Sequence, residues 1–175
     1  MFEEITVIRL QEETELSSFD CGNEDLNNFL FNDAKAYLKR LLSVTYLLKR
    51  GNDTVAFFSL SNDRISVPDS DKSTWRKVKS CFPHAKHRSD YPSVKIGRLA
   101  VDLKYQRCSV GTVILNFIES MFVSNNRTGC TFVTVDALPS ALPFYKKNGF
   151  VLLNKRLEET EGRTMTLFYD LSQLL

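Results

Sequence analysis

Apolar and polar residues alternate from Glu4 to Leu10, with Ile5 and Val7 on one side and Thr6, Ile8 and Leu10 on the other. This period of two predicts a first strand. The period then lengthens. Asn23 can cap a helix whose first turn carries Glu24 and Asp25, both favoured at the positive end of a helix dipole, and Leu26, Leu30, Ala34, Tyr37 and Leu41 recur at helical spacing. Strands are expected at Ser43 to Lys49 and Thr54 to Ser61. They join through Arg50-Gly51-Asn52-Asp53, where glycine and asparagine tolerate the dihedrals of a tight reversal.

From Arg64 to Pro92 the periodicity fades. Pro68, Pro83 and Pro92 punctuate this stretch, and only Asp71 to Ser80 suits a helix, so it reads as an insertion between core elements. Regularity returns with a mostly apolar strand at Val94 to Asp102, a polar loop at Leu103 to Ser109, and an amphipathic helix at Val110 to Val123 carrying Val113, Ile114, Phe117, Ile118 and Met121. A β-branched strand at Cys130 to Asp136 follows, then a short helix at Ser140 to Asn148 ended by Gly149. Strands at Phe150 to Lys155 and Thr164 to Leu171, separated by the polar Glu158 to Gly162 turn, complete the chain.

Composition narrows the class. At 175 residues and 20.1 kDa the chain suits one domain, residues 1–175, large enough to fold without disulfides or a structural metal. Cys21, Cys81, Cys108 and Cys130 form no C-x-x-C pair and have two histidines to join them, which argues against a zinc module and leaves no metal site expected. No apolar run approaches membrane-spanning length, and the start lacks the basic-then-apolar order of a secretory signal. A cytoplasmic protein with reduced thiols and no membrane partner is expected. The net charge of +2 is too small to diagnose a partner, but residues 64–92 hold seven basic side chains against three acidic ones.

Two stretches carry candidate chemistry. The first is Gly97-Arg98-Leu99-Ala100-Val101-Asp102 leading into Gln106-Arg107-Cys108-Ser109-Val110-Gly111-Thr112. A short loop from strand to helix aims backbone N–H groups and a helix dipole at one point, which suits a pyrophosphate. The same pattern also describes an ordinary helix start capped by Ser109. Arg107 suits a phosphate or solvent equally well. The second stretch is Val133-Thr134-Val135-Asp136-Ala137 followed by Ala141 to Phe150, in which the Phe144-Tyr145 pair is either packing or chemistry.

Taken together these motifs resemble the GNAT superfamily of acetyl-CoA-dependent N-acetyltransferases. Gln106 to Gly111 resembles its Q/R-x-x-G-x-G/A pyrophosphate loop, and Ala141 to Phe150 its A-x-x-F-Y-x-x-x-G-F signature. The opening Phe19-Asp20-Cys21-Gly22-Asn23-Glu24-Asp25-Leu26-Asn27-Asn28-Phe29-Leu30 and the strand Ile96 to Asp102 are similar to the branch that includes toxins acetylating aminoacyl-tRNA. The implied fold is mixed α/β: a central, mostly antiparallel sheet of about seven strands with helices on both faces.

The resemblance also implies roles. Leu99, Ala100 and Val101 would hold the pantetheine arm and polarise the acetyl carbonyl. Gln106, Arg107, Cys108, Ser109, Val110, Gly111 and Thr112 would hold the pyrophosphate, Asp136 and Phe144 would line the cofactor site, and Tyr145 would protonate the departing CoA thiolate. Acetyl-CoA is then the co-substrate and an amine the acceptor. Charged tRNA is the sharpest version of that acceptor; a small-molecule or protein amine is its rival. The branch also brings an antitoxin and a second copy of the chain into view as partners, neither derivable from the residues.

Ser109 departs from the pattern, since a glycine is usual there. If the position needs φ > 0, serine costs about 1–2 kcal/mol. A general base is also not evident, because no carboxylate precedes Asp102 in the fourth strand; His84, His87, Asp63 and Asp90 lie in or near the insertion. An α-amine, with pKa near 7.7–8.0 against about 10.4 for lysine, needs little help from a base. The basic insertion, with Trp75, Phe82 and Tyr91 interleaved, fits RNA binding or a solvated helix with packing aromatics. Ser109 and the absent base also leave open a GNAT-fold module that binds acyl-CoA or a partner without catalysis.

Overall fold

The computed structural model describes residues 5–80, 82, 88–124, 127–155 and 163–175. His84 and His87, Cys81, and the Glu158 to Gly162 turn lie outside the described residues. Seven strands, β1 (Ile5–Arg9), β2 (Val44–Arg50), β3 (Asp53–Ser66), β4 (Asp90–Val101), β5 (Phe132–Ala137), β6 (Val151–Leu152) and β7 (Met165–Asp170), form one open sheet in the order β1-β2-β3-β4-β5-β7-β6. The pairs β1/β2, β2/β3, β5/β7 and β6/β7 are antiparallel. The helices are α1 (Glu24–Asn28), a π-helical turn at Phe29–Asp33, α2 (Ala34–Lys39), α3 (Lys72–Ser80), α4 (Val110–Val123) and α5 (Leu142–Lys147). Among the described residues no helix is long and apolar enough to cross a membrane.

The chain divides into two compact units. Met1–Ser61 with Ile96–Asn116 makes one, and Asn62–Lys95 with Phe117–Leu175 the other. In the first, Gly51 at φ 56° closes the β2/β3 hairpin, the left-handed backbone that glycine takes without a Cβ penalty. Asn23 accepts the Leu26 N–H at 3.1 Å and so caps α1. The core gathers Leu10, Phe19, Phe29, Leu30, Ala34, Leu47, Phe57 and Ala100. Phe57 meets Phe19 edge-on at 5.4 Å and stacks with Phe29 at 6.1 Å. The π turn places Phe29 and Leu30 inward together.

The second unit has its own core of Ile65, Trp75, Val78, Tyr91, Phe132, Leu153 and Phe168. Asp71 begins α3. Its carboxylate accepts N–H bonds from Lys155, Ser73 and Thr74, each at 2.9 Å, and these hold its pKa well below the carboxylate range.

Several elements differ from expectation. The Leu26 to Leu41 stripe ends early: Leu41 is 91% exposed at φ 57°, beyond the last turn of α2, and Tyr37 reaches back to meet Phe29 edge-on. In α4 the buried stripe is Val110, Ile114, Leu115 and Ile118, whereas Val113 and Phe117 lie on the exposed side. Periodicity placed these two one step around the helix from the face that packs. β3 runs on to Ser66 and β4 starts at Asp90, so strands occupy both ends of the 64–92 stretch. The strand expected over Phe150 to Lys155 shrinks to Val151–Leu152.

Trp75, Phe82 and Tyr91 pack on one another. The Phe82 and Tyr91 rings are parallel at 4.2 Å, and Trp75 lies 5.6 Å from Tyr91. Their faces are therefore occupied by packing, while Lys72, Arg76 and Lys77 occupy the exposed side of α3.

Candidate functional site

In the first unit β4 ends at Val101 and a 3-10 turn, Leu103–Tyr105, leads to the loop before α4. Asp102 is buried and caps that turn, its carboxylate accepting the Lys104 N–H at 2.9 Å. Gln106, Arg107, Cys108 and Ser109 are exposed, and Val110 is buried. The first bond of α4 runs from the Val113 N–H to the Ser109 carbonyl at 3.1 Å. Helix geometry leaves the amides of Val110, Gly111 and Thr112 ahead of it without intrahelical acceptors, at the positive end of a 14-residue dipole. The arrangement suits an anion.

Arg107 and Ser109 both sit at φ 61°. Position 109 thus requires the left-handed backbone that glycine takes freely, and left-handed residues of this kind recur in anion-binding concavities. Ser109→Gly should raise stability by about 1 kcal/mol, since Gly removes the Cβ penalty there. Thermal unfolding should read this as a Tm gain of roughly 2–4 °C. An unchanged or lower Tm would mean that the serine is not strained.

The Gln106 side chain bonds within the protein. Its amide donates to the Val101 and Cys21 carbonyls, each at 2.9 Å. Of the β4 residues, Ala100 is buried in the core while Leu99 and Val101 are half-buried. The guanidinium of Arg98 lies 4.9 Å over the Phe29 ring, a cation–π contact.

In the second unit, α5 begins with Pro143 in its first turn and ends in a two-bond Schellman cap. The Phe150 N–H donates to the Tyr145 carbonyl and the Gly149 N–H to the Lys146 carbonyl, both at 3.1 Å, with Gly149 at φ 86°. The apolar contact that accompanies this cap is between Tyr145 and Phe150, edge-on at 5.4 Å; Phe144 adds a second edge-on ring at 5.0 Å. The F-Y-x-x-x-G-F spacing thus has a local cause: tyrosine three places before the cap, glycine for the left-handed residue, phenylalanine to close on the tyrosine ring. Tyr145 is 7% exposed, and burial pushes its phenol up to about 12.

Asp136, at the end of β5, is engaged by protein groups. Lys95 pairs with it at 2.5 Å and the Thr166 hydroxyl donates to it at 2.7 Å. Burial alone would lower the Lys95 pKa, but the hydrogen bond and charge of Asp136, with Asp63 and Asp69 nearby, leave it raised. Asp63 accepts a 2.5 Å bond from Thr134, and Asp90 accepts from Ser89 and pairs with Arg64 at 3.6 Å. No local motif marks Lys95 and Thr166 for this role; strand register brings them to Asp136. Among the described residues no three His, Cys, Asp or Glu side chains gather as a metal would need.

The strand-to-helix loop and the tyrosine at a helix end are the two features that the sequence likens to GNAT acetyltransferases. Residues 83–166 of the chain match the family described as "Acetyltransferase (GNAT) domain". Its fold is shared with the toxin AtaT complexed with acetyl-methionyl-tRNAfMet (23% identity, TM-score 0.75, covering 98% of this chain and 97% of that one). It is also similar to a tyrosine-to-phenylalanine mutant of KacT (23%, TM-score 0.74, 98% and 99%). A mutant AtaT toxin bound to the C-terminus of the antitoxin AtaR and acetyl-CoA matches as well (23%, TM-score 0.72, 98% and 96%).

Proposed function

We propose that the chain transfers acetyl from acetyl-CoA to the α-amine of an aminoacyl-tRNA. The observation that carries the reading is the loop at 106–112, where two left-handed residues precede the open amides of α4, an arrangement suited to a pyrophosphate. The likeness to AtaT complexed with an acetylated aminoacyl-tRNA supports the acceptor.

The neutral amine attacks the thioester carbonyl, and backbone groups of Leu99 to Val101 stabilise the oxyanion. The C–S bond breaks as the N–C bond forms; Tyr145 gives its phenolic proton to the leaving thiolate and is reprotonated by the proton the amine releases to solvent. An α-amine is substantially neutral near pH 8, so the reaction proceeds without a strong base. Lys72, Arg76 and Lys77 on the exposed side of α3 supply phosphate contacts, and the packed aromatics beside them take no part in stacking. The site acts where charged tRNA is, in the cytoplasm, with an antitoxin as its natural restraint.

Expression of the wild type is expected to arrest growth, and purified protein should move labelled acetyl from acetyl-CoA onto charged tRNA in preference to a panel of small amines and peptides. Acetylation of the small amines alone would overturn the tRNA acceptor. Binding of acetyl-CoA with no transfer to any acceptor would instead leave a non-catalytic acyl-CoA-binding module.

A further inference from the structure

The segment Asp20 to Asn27 meets the loop at 102–106 through a closed set of hydrogen bonds, although the bonded pairs lie 82 to 85 positions apart along the chain. We infer that this segment is a brace that sets the pyrophosphate loop, with Asp20, Asn27 and Gln106 as positioning residues. The inference rests on the acetyl-CoA reading above.

The two backbones are clipped reciprocally. The Asp20 N–H donates to the Asp102 carboxylate at 3.0 Å, and the Leu103 N–H returns a bond to the Asp20 carbonyl at 2.8 Å. The Asp20 carboxylate accepts from the Gly22 N–H and the Asn27 side-chain amide, both at 2.8 Å, and these bonds lower its pKa. The other end of the Asn27 amide accepts from the Cys21 N–H at 3.0 Å and from its thiol at 3.1 Å. Asn27 therefore uses its acceptor end on the Cys21 N–H and its donor end on the Asp20 carboxylate, and that carboxylate holds the Gly22 N–H, in the same peptide as the Cys21 carbonyl that receives Gln106.

Gln106 then links both sides. A primary amide has two N–H donors, and both are placed: one on Cys21, the other on Val101 at the end of β4. The next residue is Arg107 at φ 61°, so the backbone departs from a pinned point straight into its left-handed turn. Gly22, at φ 77°, lets the two segments approach, since a Cβ there would lie 3.2 Å from Leu103. The backbone of Asp20 and Cys21 thus meets the loop, while the Asp20 and Asn23 side chains bond within the opening segment. Burial pushes the Cys21 thiol up, as suits a hydrogen-bonded structural group rather than a nucleophile.

A brace for this loop has a signature that general destabilisation lacks: it acts on the part of the cofactor bearing the pyrophosphate. Calorimetry with CoA and with pantetheine, which has no pyrophosphate, separates the two. Wild type should bind CoA well and pantetheine weakly. Gln106→Met and Asn27→Ala should each weaken CoA about tenfold and pantetheine less than about twofold, and the double variant should lose less than the two effects combined. Gln106 is exposed, so Gln106→Met keeps the question answerable if Asn27→Ala does not fold. Unchanged CoA binding in Gln106→Met, or equal losses for both ligands, would overturn the brace. A wild type that binds no CoA would instead remove the acetyl-transfer reading and the brace's purpose with it.

Discussion

Tyr145→Phe is expected to fold, to bind acetyl-CoA as the wild type does, and to transfer acetyl at least about a hundredfold more slowly, the low end of what a positioned general acid supplies. The fold survives because the ring, not the hydroxyl, packs against Phe144 and Phe150, and because the cap bond at this residue is made by its backbone carbonyl. The loss falls on kcat, since the thiolate leaves without a proton donor. Wild-type kcat in this variant would take Tyr145 out of the chemistry.

The raised pKa of Tyr145 gives the pH profile a definite sign. A general acid must be protonated, and a phenol pushed up to about 12 stays protonated through pH 10. It therefore sets no falling limb below that pH. The acceptor must be neutral, so the rate should rise with pH and level off above the amine's own pKa, near 7.7–8.0 for an α-amine. A decline between pH 8 and 10 in a protein still folded would place the proton on another group.

Gly149→Ala should have the second-largest effect, and by another route. The residue sits at φ 86°, and an added Cβ would stand 3.0 Å from the Tyr169 ring. Left-handed strain and the ring contact together should cost about 2 kcal/mol, or roughly 4–8 °C in Tm. Because the cap closes on Tyr145 itself, acetyl transfer should fall alongside stability while CoA still binds. A Tm within 1 °C of wild type by scanning calorimetry, a margin of about 0.5 kcal/mol, would mean that the turn relaxes at little cost.

What could be read before the structure was mainly local. The strands at 5–9 and 44–50, the glycine turn between β2 and β3, the cap at Asn23 and the whole span of α4 follow from period, propensity and capping chemistry, all written within a few residues. The F-Y-x-x-x-G-F stretch belongs here too, since its spacing is the spacing of a Schellman cap. Long-range register was not legible. That the Gln106 side chain would bond to Cys21, or that Asp136 would pair with Lys95 and Thr166, depends on which distant backbones lie together. Val113 and Phe117 were misplaced for a related reason: an apolar helix offers more than one stripe, and only the packed sheet chooses between them.

The turn that ends α5 also bears on how the protein ages. Asn148 and Gly149 form a dipeptide prone to spontaneous ring closure, in which the glycine nitrogen attacks the asparagine side-chain carbonyl and expels ammonia, and water then opens the ring to a lengthened isoaspartyl backbone. Here that nitrogen donates to the Lys146 carbonyl at 3.1 Å, and the Asn148 side chain is held on the Phe144 carbonyl at 2.8 Å. Closure must wait until the helix end opens. The hydrogen bonds that fix the tyrosine thus also guard the adjacent peptide bond, and the chemical lifetime of this corner is set by how often it frays.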